Sequence, residues 1–159
     1  MRQSLIPGLK AGFLSASHHG PRGQLFPQPR VKAAKGDERL LDEVTGSTFR
    51  IVVSANADAA TVVQVVSECE RLRHLPIELV LIGSEPLAQD APLYAYFDVS
   101  GVLVNWLRQH DCSVVIARPD HYVYGACQKP GEASALIQEL VAALSLASLQ
   151  DRKDSVAST

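Results

Sequence analysis

Three cysteines supply the strongest nucleophiles in this sequence, and their spacing limits the sulfur chemistry open to it. Cys69, Cys112 and Cys127 form an odd, widely spaced set without a C-x-x-C pair. A dithiol oxidoreductase needs such a pair at the start of a helix, where the helix dipole lowers the pKa of the attacking thiol. The sequence therefore argues against that activity, and it favours reduced thiols over a disulfide framework.

All three thiols are predicted to be core residues, and for two of them an alternative role remains open. Cys69 falls on the apolar stripe of a predicted helix and is expected to be a small core residue. Cys112 and Cys127 lie on either side of a predicted hairpin, so they could approach each other. We interpret both as inert core thiols, and the alternative is a redox switch formed by a disulfide between them.

The histidines and glycines predict neither a metal site nor a nucleotide site. His18 and His19 are adjacent in a loop, so their side chains diverge, whereas structural metal sites need three or four convergent ligands. The glycines occur singly, and no G-x-G-x-x-G run is present to bring the backbone close to a pyrophosphate. We therefore expect this chain alone to bind no metal, FAD or NAD(P)H, and we assign it no catalytic residue.

The polar cluster most open to a functional interpretation is the turn Arg118-Pro119-Asp120. In the structural interpretation, Pro119 fixes the corner and Asp120 accepts backbone N–H bonds within the turn. In the functional alternative, Arg118 contacts a neighbouring domain or subunit together with Tyr122 or Tyr124, because Arg and Tyr are favoured interface anchors. The full predicted set of interaction residues is Arg118, Asp120, Tyr122, Tyr124 and Phe26.

A predicted β-hairpin over residues 114–127 positions this turn. The apolar VVI run before the turn and the YVY run after it are β-branched and aromatic, which suits a half-buried pleated surface. Helical patterns over residues 99–110 and 131–147 are expected to cover the sheet to which the hairpin belongs.

The elements upstream of the hairpin complete a recognisable order. They are a short helix over residues 39–44, a strand over 49–54, a helix from Asn56 or Asp58 to residue 73, and a strand over 77–82. From the first strand onward the order is β-α-β-α-β-β-α, in which the first two strands are parallel and joined by a right-handed crossover. The sequence thus predicts an α/β, thioredoxin-like three-layer domain, with a central mixed sheet of about four strands and helices on both faces.

Composition divides the chain into an arm, a domain and a tail. Residues 1–39 are a Pro/Gly-rich, extended basic arm with seven Lys/Arg against two acidic residues, and the remainder holds eight against fifteen. Residues 40–149 form the predicted thioredoxin-like domain without C-x-x-C, and residues 150–159 a disordered tail. The basic residues of the arm are spread among prolines and glycines, which argues against nucleic-acid binding. Its apolar residues predict docking, either on its own domain or against a missing catalytic domain.

The overall composition is that of a single globular domain. The chain has 159 residues, of which 47% are apolar and 20% charged, and no apolar run approaches the length that spans a bilayer. Pro7, Gly8 and Lys10 interrupt what would be the apolar core of an export signal. We therefore expect a cytoplasmic chain without a membrane partner.

Three segments carry a resemblance to a known family. RPDHYVYG, together with GQLFPQPRV and LLDEVTG further upstream, is similar to the C-terminal region of FAD-dependent aromatic-ring hydroxylases of the 3-(3-hydroxyphenyl)propionate hydroxylase type. The similarity runs from about Ile6 to Ala147. It implies a thioredoxin-like C-terminal domain whose parent enzyme uses FAD and NAD(P)H to insert one oxygen atom into a phenolic ring.

The resemblance also implies interaction partners for this chain. It implies contact with a catalytic FAD domain or another subunit of the hydroxylase, with a homo-oligomer as a further possibility. Our first hypothesis is a non-catalytic structural or interaction domain of such a monooxygenase, without activity of its own. The alternative is a free-standing, redox-inactive binding module of the same fold. A small enzyme with an unrecognised site is a third class, which no residue pattern favours.

Overall fold

A seven-stranded mixed sheet forms the centre of this computed structural model, which describes residues 14–16, 20–46, 48–129 and 131–157. The sheet order is β2-β1-β5-β4-β3-β6-β7. The elements in chain order are β1 Arg30–Lys32, β2 Arg39–Leu40, α1 Leu41–Thr45, β3 Phe49–Ser54, α2 Ala59–Arg71, β4 Ile77–Gly83, β5 Ala95–Asp98, α3 Val102–Gln109, β6 Val114–Ala117, β7 Val123–Cys127 and α4 Glu132–Ala157.

The predicted order of elements is present in the four strands β4, β3, β6 and β7. Strands β3 and β4 are parallel and joined by α2, with Phe49 opposite Ile77 at the start of the pair. Strand β6 runs antiparallel to β3, and β7 folds back on β6 as the predicted hairpin. The α/β class and the thioredoxin-like arrangement of the sheet are confirmed.

The predicted number of strands was too low. Strand β5 adds a parallel neighbour to β4, and β1 and β2 extend the sheet beyond it. These three strands have only two to four residues each, so no period of alternation marks them in the sequence. Their backbone groups pair successively, β5 with β4, β1 with β5 and β2 with β1, so these strands depend on tertiary pairing and not on local pattern. Part of the predicted arm is consequently a strand of the sheet.

Two cores lie on opposite faces of the sheet. Helices α2 and α4 cover one face, where β3 contributes Phe49, Ile51 and Val53. Helix α3 covers the other face, over Val52 of β3 and Val80 of β4. The alternation of neighbouring β3 residues between the two cores explains the nearly continuous apolar run FRIVVS, because a strand covered on both faces has no side left for water.

The C-terminal helix is longer than the sequence predicted. Helix α4 continues beyond the predicted end at residue 147 as far as Ala157, and so includes residues assigned to the predicted tail. Residues 150–157 contain no Gly or Pro, and a helix that is already nucleated can propagate through such a segment. By length and composition alone, Glu132–Leu149 would suffice to cross a membrane, but one side of it packs against the sheet.

Candidate functional site

The predicted turn closes the β6–β7 hairpin. Arg118 N donates to Tyr122 O at 2.8 Å, and His121 N donates to Arg118 O at 3.0 Å. His121 has a φ of 72°, in the left-handed region that non-glycine residues rarely adopt. Tyr122 N donates to Asp120 Oδ1 at 3.4 Å, which is the kind of backbone contact predicted for Asp120.

An ion pair inside the turn joins the two charged residues of the motif. Arg118 Nε donates to Asp120 Oδ1 at 3.0 Å, and Arg118 Nη2 to Asp120 Oδ2 at 2.5 Å. The exposed fraction of the side chain is 7% for Arg118 and 30% for Asp120. The pair is therefore bidentate and mostly shielded from water, a geometry in which an arginine–carboxylate contact fixes orientation.

A second arginine, which is not among the predicted interaction residues, lies beneath the turn. Arg50 of β3 is almost completely buried, and its Nη2 donates to Arg118 O at 2.6 Å. Its guanidinium carbon lies 5.7 Å from the centre of the Phe26 ring, within cation–π range. The signal that could have found it is the single charge within the apolar strand FRIVVS.

Burial and two carboxylates act in opposite directions on Arg50. Burial lowers the pKa of its guanidinium, while Asp42 and Asp120 raise that pKa. Its Nη2 also lies 3.4 Å from His121 Nδ1. Within the described part of the chain, Arg50 Nε and Nη1 are buried without a hydrogen-bond partner. The cluster therefore depends on the nearby carboxylates for charge balance.

The structure separates the five predicted interaction residues into two groups. Arg118, Tyr124 and Phe26 are buried, whereas Tyr122 is 46% exposed and Asp120 is partly exposed. The buried three make contacts inside the domain, such as the edge-to-face contact of Phe26 with Trp106. An external contact stays a prediction, and Asp120 and Tyr122 are the two that reach the surface.

The described part of the arm lies along the outer edge of β7. Val123 N donates to Gln24 O at 2.8 Å, Gly23 N to Val123 O at 2.9 Å, and Phe26 N to His121 O at 2.6 Å. An exposed strand edge is a template for unwanted pairing, and this segment covers it. Of the two predicted docking modes, the described residues show the arm on its own domain. Residues 1–13 and His18-His19 lie outside the described residues.

A carboxylate on α4 holds the start of the described arm. Glu139 Oε1 accepts from Ser15 Oγ at 2.6 Å, and Glu139 Oε2 accepts from Ala16 N at 2.9 Å. Ser15 N also donates to Tyr124 O at 2.9 Å. Burial and the nearby Glu139 raise the pKa of the Tyr124 phenol. Glu139 therefore links the arm, the hairpin and the last helix.

Replacing Glu139 with alanine is expected to release the start of the arm. Two hydrogen bonds to a charged but partly solvated acceptor are lost, so unfolding free energy should fall by about 1–2 kcal/mol. Hydrogen exchange at Ser15 and Ala16 should accelerate, while exchange in β3 should not change. Glu70→Ala, at an exposed position on α2, is the matched control. If hydrogen exchange at Ser15 and Ala16 is equally slow in Glu139→Ala and Glu70→Ala, Glu139 does not anchor the arm.

Cys112 lies in a different core from Cys127 and Cys69. Cys112 belongs to the core on the α3 side of the sheet and Cys127 to the core on the α4 side, and all three cysteines are free. Burial, followed by the nearby Asp111, raises the pKa of Cys112 to about 11. Burial, with smaller contributions from Glu132 and Cys112, raises that of Cys127 to about 12. Burial and Glu68 raise the pKa of Cys69 to about 12.

These pKa values predict slow alkylation in the native state and a fall in stability at alkaline pH. An unfolded thiol ionises near pH 8.5, about two units or more below the folded Cys112 and Cys127. Between those values the unfolded state binds fewer protons, so stability falls as pH rises and is full below about pH 8. Iodoacetamide should therefore modify the thiols at pH 8 only after urea is added. Rapid native labelling, or a Cys112–Cys127 disulfide after mild oxidation, would contradict this expectation.

The start of α2 does not fit a flavin pyrophosphate. The β3–α2 connection contains no glycine, and the helix begins after Asp58, whose Oδ1 accepts a hydrogen bond from the Thr61 hydroxyl. A carboxylate occupies the place where a nucleotide-binding turn presents free N–H groups to phosphate. The described residues also contain no group of three or more His, Cys, Asp or Glu side chains that could hold a metal ion.

Comparison with known proteins assigns the chain to a family. Residues 23–143 match the family described as the HcaD C-terminal domain. The chain belongs to the HcaD C-terminal domain family. The matched residues include the turn, the segment of the arm from Gly23 that pairs with β7, and the first part of α4 as far as residue 143.

Two relatives of this HcaD C-terminal domain chain are hydroxylases. It is 34% identical over 148 residues to the 3-(3-hydroxy-phenyl)propionate/3-hydroxycinnamic acid hydroxylase of Paraburkholderia xenovorans, covering 91% of this chain and 24% of that protein. It is 32% identical over 140 residues to the probable NADH-specific resorcinol 4-hydroxylase of Rhodococcus jostii. That match covers 87% of this chain and 24% of that protein. The chain thus spans about a quarter of the length of these relatives.

Solved structures support the fold. The flavin-dependent monooxygenase PieE, solved with FAD and substrate, matches with a TM-score of 0.52 and 17% identity over 77% of this chain and 19% of that chain. Xanthomonas campestris peroxiredoxin Q matches with a TM-score of 0.54 and 9% identity over 73% of this chain and 90% of that one. At such low identity the likeness shows the thioredoxin-like fold alone.

Proposed function

We propose that this chain is the non-catalytic C-terminal structural and interaction domain of an FAD- and NAD(P)H-dependent aromatic hydroxylase. The observation that carries the proposal is the extent of the match. The hydroxylase relatives align with 87–91% of this chain, but with only 24% of their own length. The remaining three quarters of such a protein would hold the flavin and the phenolic substrate.

The chemistry of the site supports a structural role for this part. The Arg118–Asp120 pair and Arg50 fix the end of the hairpin, and the thiols are buried with raised pKa values. In the proposed parent, hydroxylation of the phenol would use a bound flavin that reacts with oxygen, with NAD(P)H supplying the electrons. The turn before α2 carries a carboxylate at Asp58, so the flavin would be held by the catalytic part.

The accessible part of the turn is our candidate contact with the catalytic part. Asp120 and Tyr122 reach the surface next to the exposed Leu25, which pairs with Tyr122 across the arm and β7. An aromatic and an aliphatic side chain beside a partly exposed carboxylate form a small patch with both apolar and polar character. Patches of this composition are suited to a domain interface.

A chimeric hydroxylase tests the proposal. The matching segment of the Paraburkholderia xenovorans relative is deleted, or is replaced either by this chain or by peroxiredoxin Q, which has the same fold. We expect the chimera with this chain to retain more FAD per polypeptide, and more NADH-dependent hydroxylation of 3-(3-hydroxyphenyl)propionate, than the other two. Tyr122→Ser in the chimera should reduce both. A chimera no better than the peroxiredoxin control would count against the proposal.

A further inference from the structure

The outer face of α4 exposes apolar side chains that nothing in the described chain covers. Leu146 is 68% exposed and Leu149 is 52% exposed. The sequence from Leu140 to Gln150 contains no charged residue, and only 28% of Glu132–Leu149 is buried. A helix that is apolar on nearly every side is expected to be covered in a larger assembly.

The exposed apolar residues lie on one stripe whose two ends carry opposite charges, from the half-buried Glu139 and the exposed Lys153. The order of the stripe along the helix is Glu139, Ala142, Leu146, Leu149 and Lys153, with the alternating spacing of three and four residues that keeps side chains on one helix face. The apolar middle of the stripe is flanked by a carboxylate on one side and an ammonium group on the other. A stripe of this kind is complementary to itself when it is turned around.

We propose that a second copy of this chain covers the stripe, with the two α4 helices antiparallel about a two-fold axis near Leu146. Glu139 and Lys153 each lie seven residues from Leu146, which is about 10.5 Å along the helix. The axis therefore places Glu139 of each copy opposite Lys153 of the other. A contact of this type is isologous, so it closes at two copies.

Charge decides between the two possible orientations. A parallel pair would place Glu139 against Glu139 and Lys153 against Lys153, and like charges that face each other destabilise a helix pair. The antiparallel pair forms two ion pairs and buries four leucines. Glu139 retains acceptor capacity for this contact, because a carboxylate has about four lone-pair sites and Ser15 and Ala16 occupy two.

Sedimentation equilibrium on the full 159-residue chain gives the first test. We expect a mass of twice 17.2 kDa at micromolar concentration. Leu146→Glu should give monomers and raise the dissociation constant at least ten-fold, with an unchanged circular dichroism spectrum. Val63→Glu is the matched control, because Val63 on α2 is 67% exposed and lies outside the stripe. A monomeric wild type, or a dimer that tolerates Leu146→Glu as well as Val63→Glu, would overturn the proposal.

Cross-linking tests the orientation separately. The two copies of residue 146 meet at the axis, so Leu146→Cys should form a disulfide between chains on mild oxidation. In the antiparallel arrangement the two copies of residue 153 are about 21 Å apart, because fourteen residues separate them along the helix direction. Lys153→Cys should therefore not cross-link. Cross-linking at 153, or none at 146, would contradict the proposed arrangement, and neither result depends on the hydroxylase assignment.

Discussion

Asp120→Ala is expected to lower the unfolding free energy by about 2 kcal/mol, and the melting temperature by roughly 4–8 °C for a chain of this size. The carboxylate binds two nitrogens of Arg118, whose side chain is only 7% exposed, and it also raises the pKa of the buried Arg50. Removing one member of a buried pair typically costs about 3–5 kcal/mol, and we reduce that figure because Asp120 is partly solvated.

Two comparisons make this prediction specific to the ion pair. Asp37→Ala, at an exposed acidic position, should change stability by no more than about 0.5 kcal/mol. The double variant Asp120→Ala with Arg118→Met should recover part of the loss, because replacing both partners by apolar groups avoids an uncompensated charge. Urea denaturation of the four proteins supplies the measurement. The prediction is wrong if Asp120→Ala is no less stable than Asp37→Ala.

Gly125→Ala is expected to cost about 1–3 kcal/mol by overpacking the contact between the arm, β7 and α4. A methyl group at residue 125 would lie 2.8 Å from Ser15 Cβ and 2.8 Å from Leu136 Cδ1. Leu136 ends in a flexible group that can turn away, whereas Ser15 Cβ is fixed by the backbone of the arm. The main consequence should therefore be displacement of the arm from the edge of β7.

The controls for Gly125 separate this contact from the general effect of replacing glycine. Gly131→Ala, where a methyl group would meet nothing within 4 Å, should leave stability unchanged or slightly higher. Adding Ser15→Gly to Gly125→Ala should restore part of the loss, because it removes one of the two close contacts. Thermal unfolding and hydrogen exchange at Gly23 are the readouts. Equal melting temperatures for Gly125→Ala and Gly131→Ala would show that the arm does not press on β7.

The sequence predicted those elements whose stability is visible in local patterns. The spacing of apolar residues, together with the turn residues at the ends, predicts the strand FRIVVS, the hairpin and the helices α2, α3 and α4. Strands β1, β2 and β5 were not predicted because each is short and is specified by pairing with a neighbouring strand, β5 with β4, β1 with β5 and β2 with β1. The continuation of α4 to Ala157 was not predicted, because the polar composition of the last residues was interpreted as disorder. Once a helix exists, adding residues to its end costs less free energy than starting a new one.

The candidate site was predicted in part for a similar reason. The charged turn was recognisable because Arg118-Pro119-Asp120 interrupts two apolar runs, and the structural interpretation of Asp120 agrees with its contact to Tyr122 N. The role of Arg50 could not be derived, because its contact with Arg118 O joins residues 68 positions apart. The burial of Tyr124 and Phe26 likewise depends on the path of the arm, which no local pattern specifies.

The size of the polypeptide in its source cells tests the central claim most directly. An antibody against residues 118–125, used on a denatured extract separated by electrophoresis, reports the length of the chain that carries the turn. If this is the C-terminal domain of a hydroxylase, the band should be about four times heavier than 17.2 kDa, since the chain matches 24% of each of two relatives. A single band near 17.2 kDa would contradict that account and would favour the free-standing binding module.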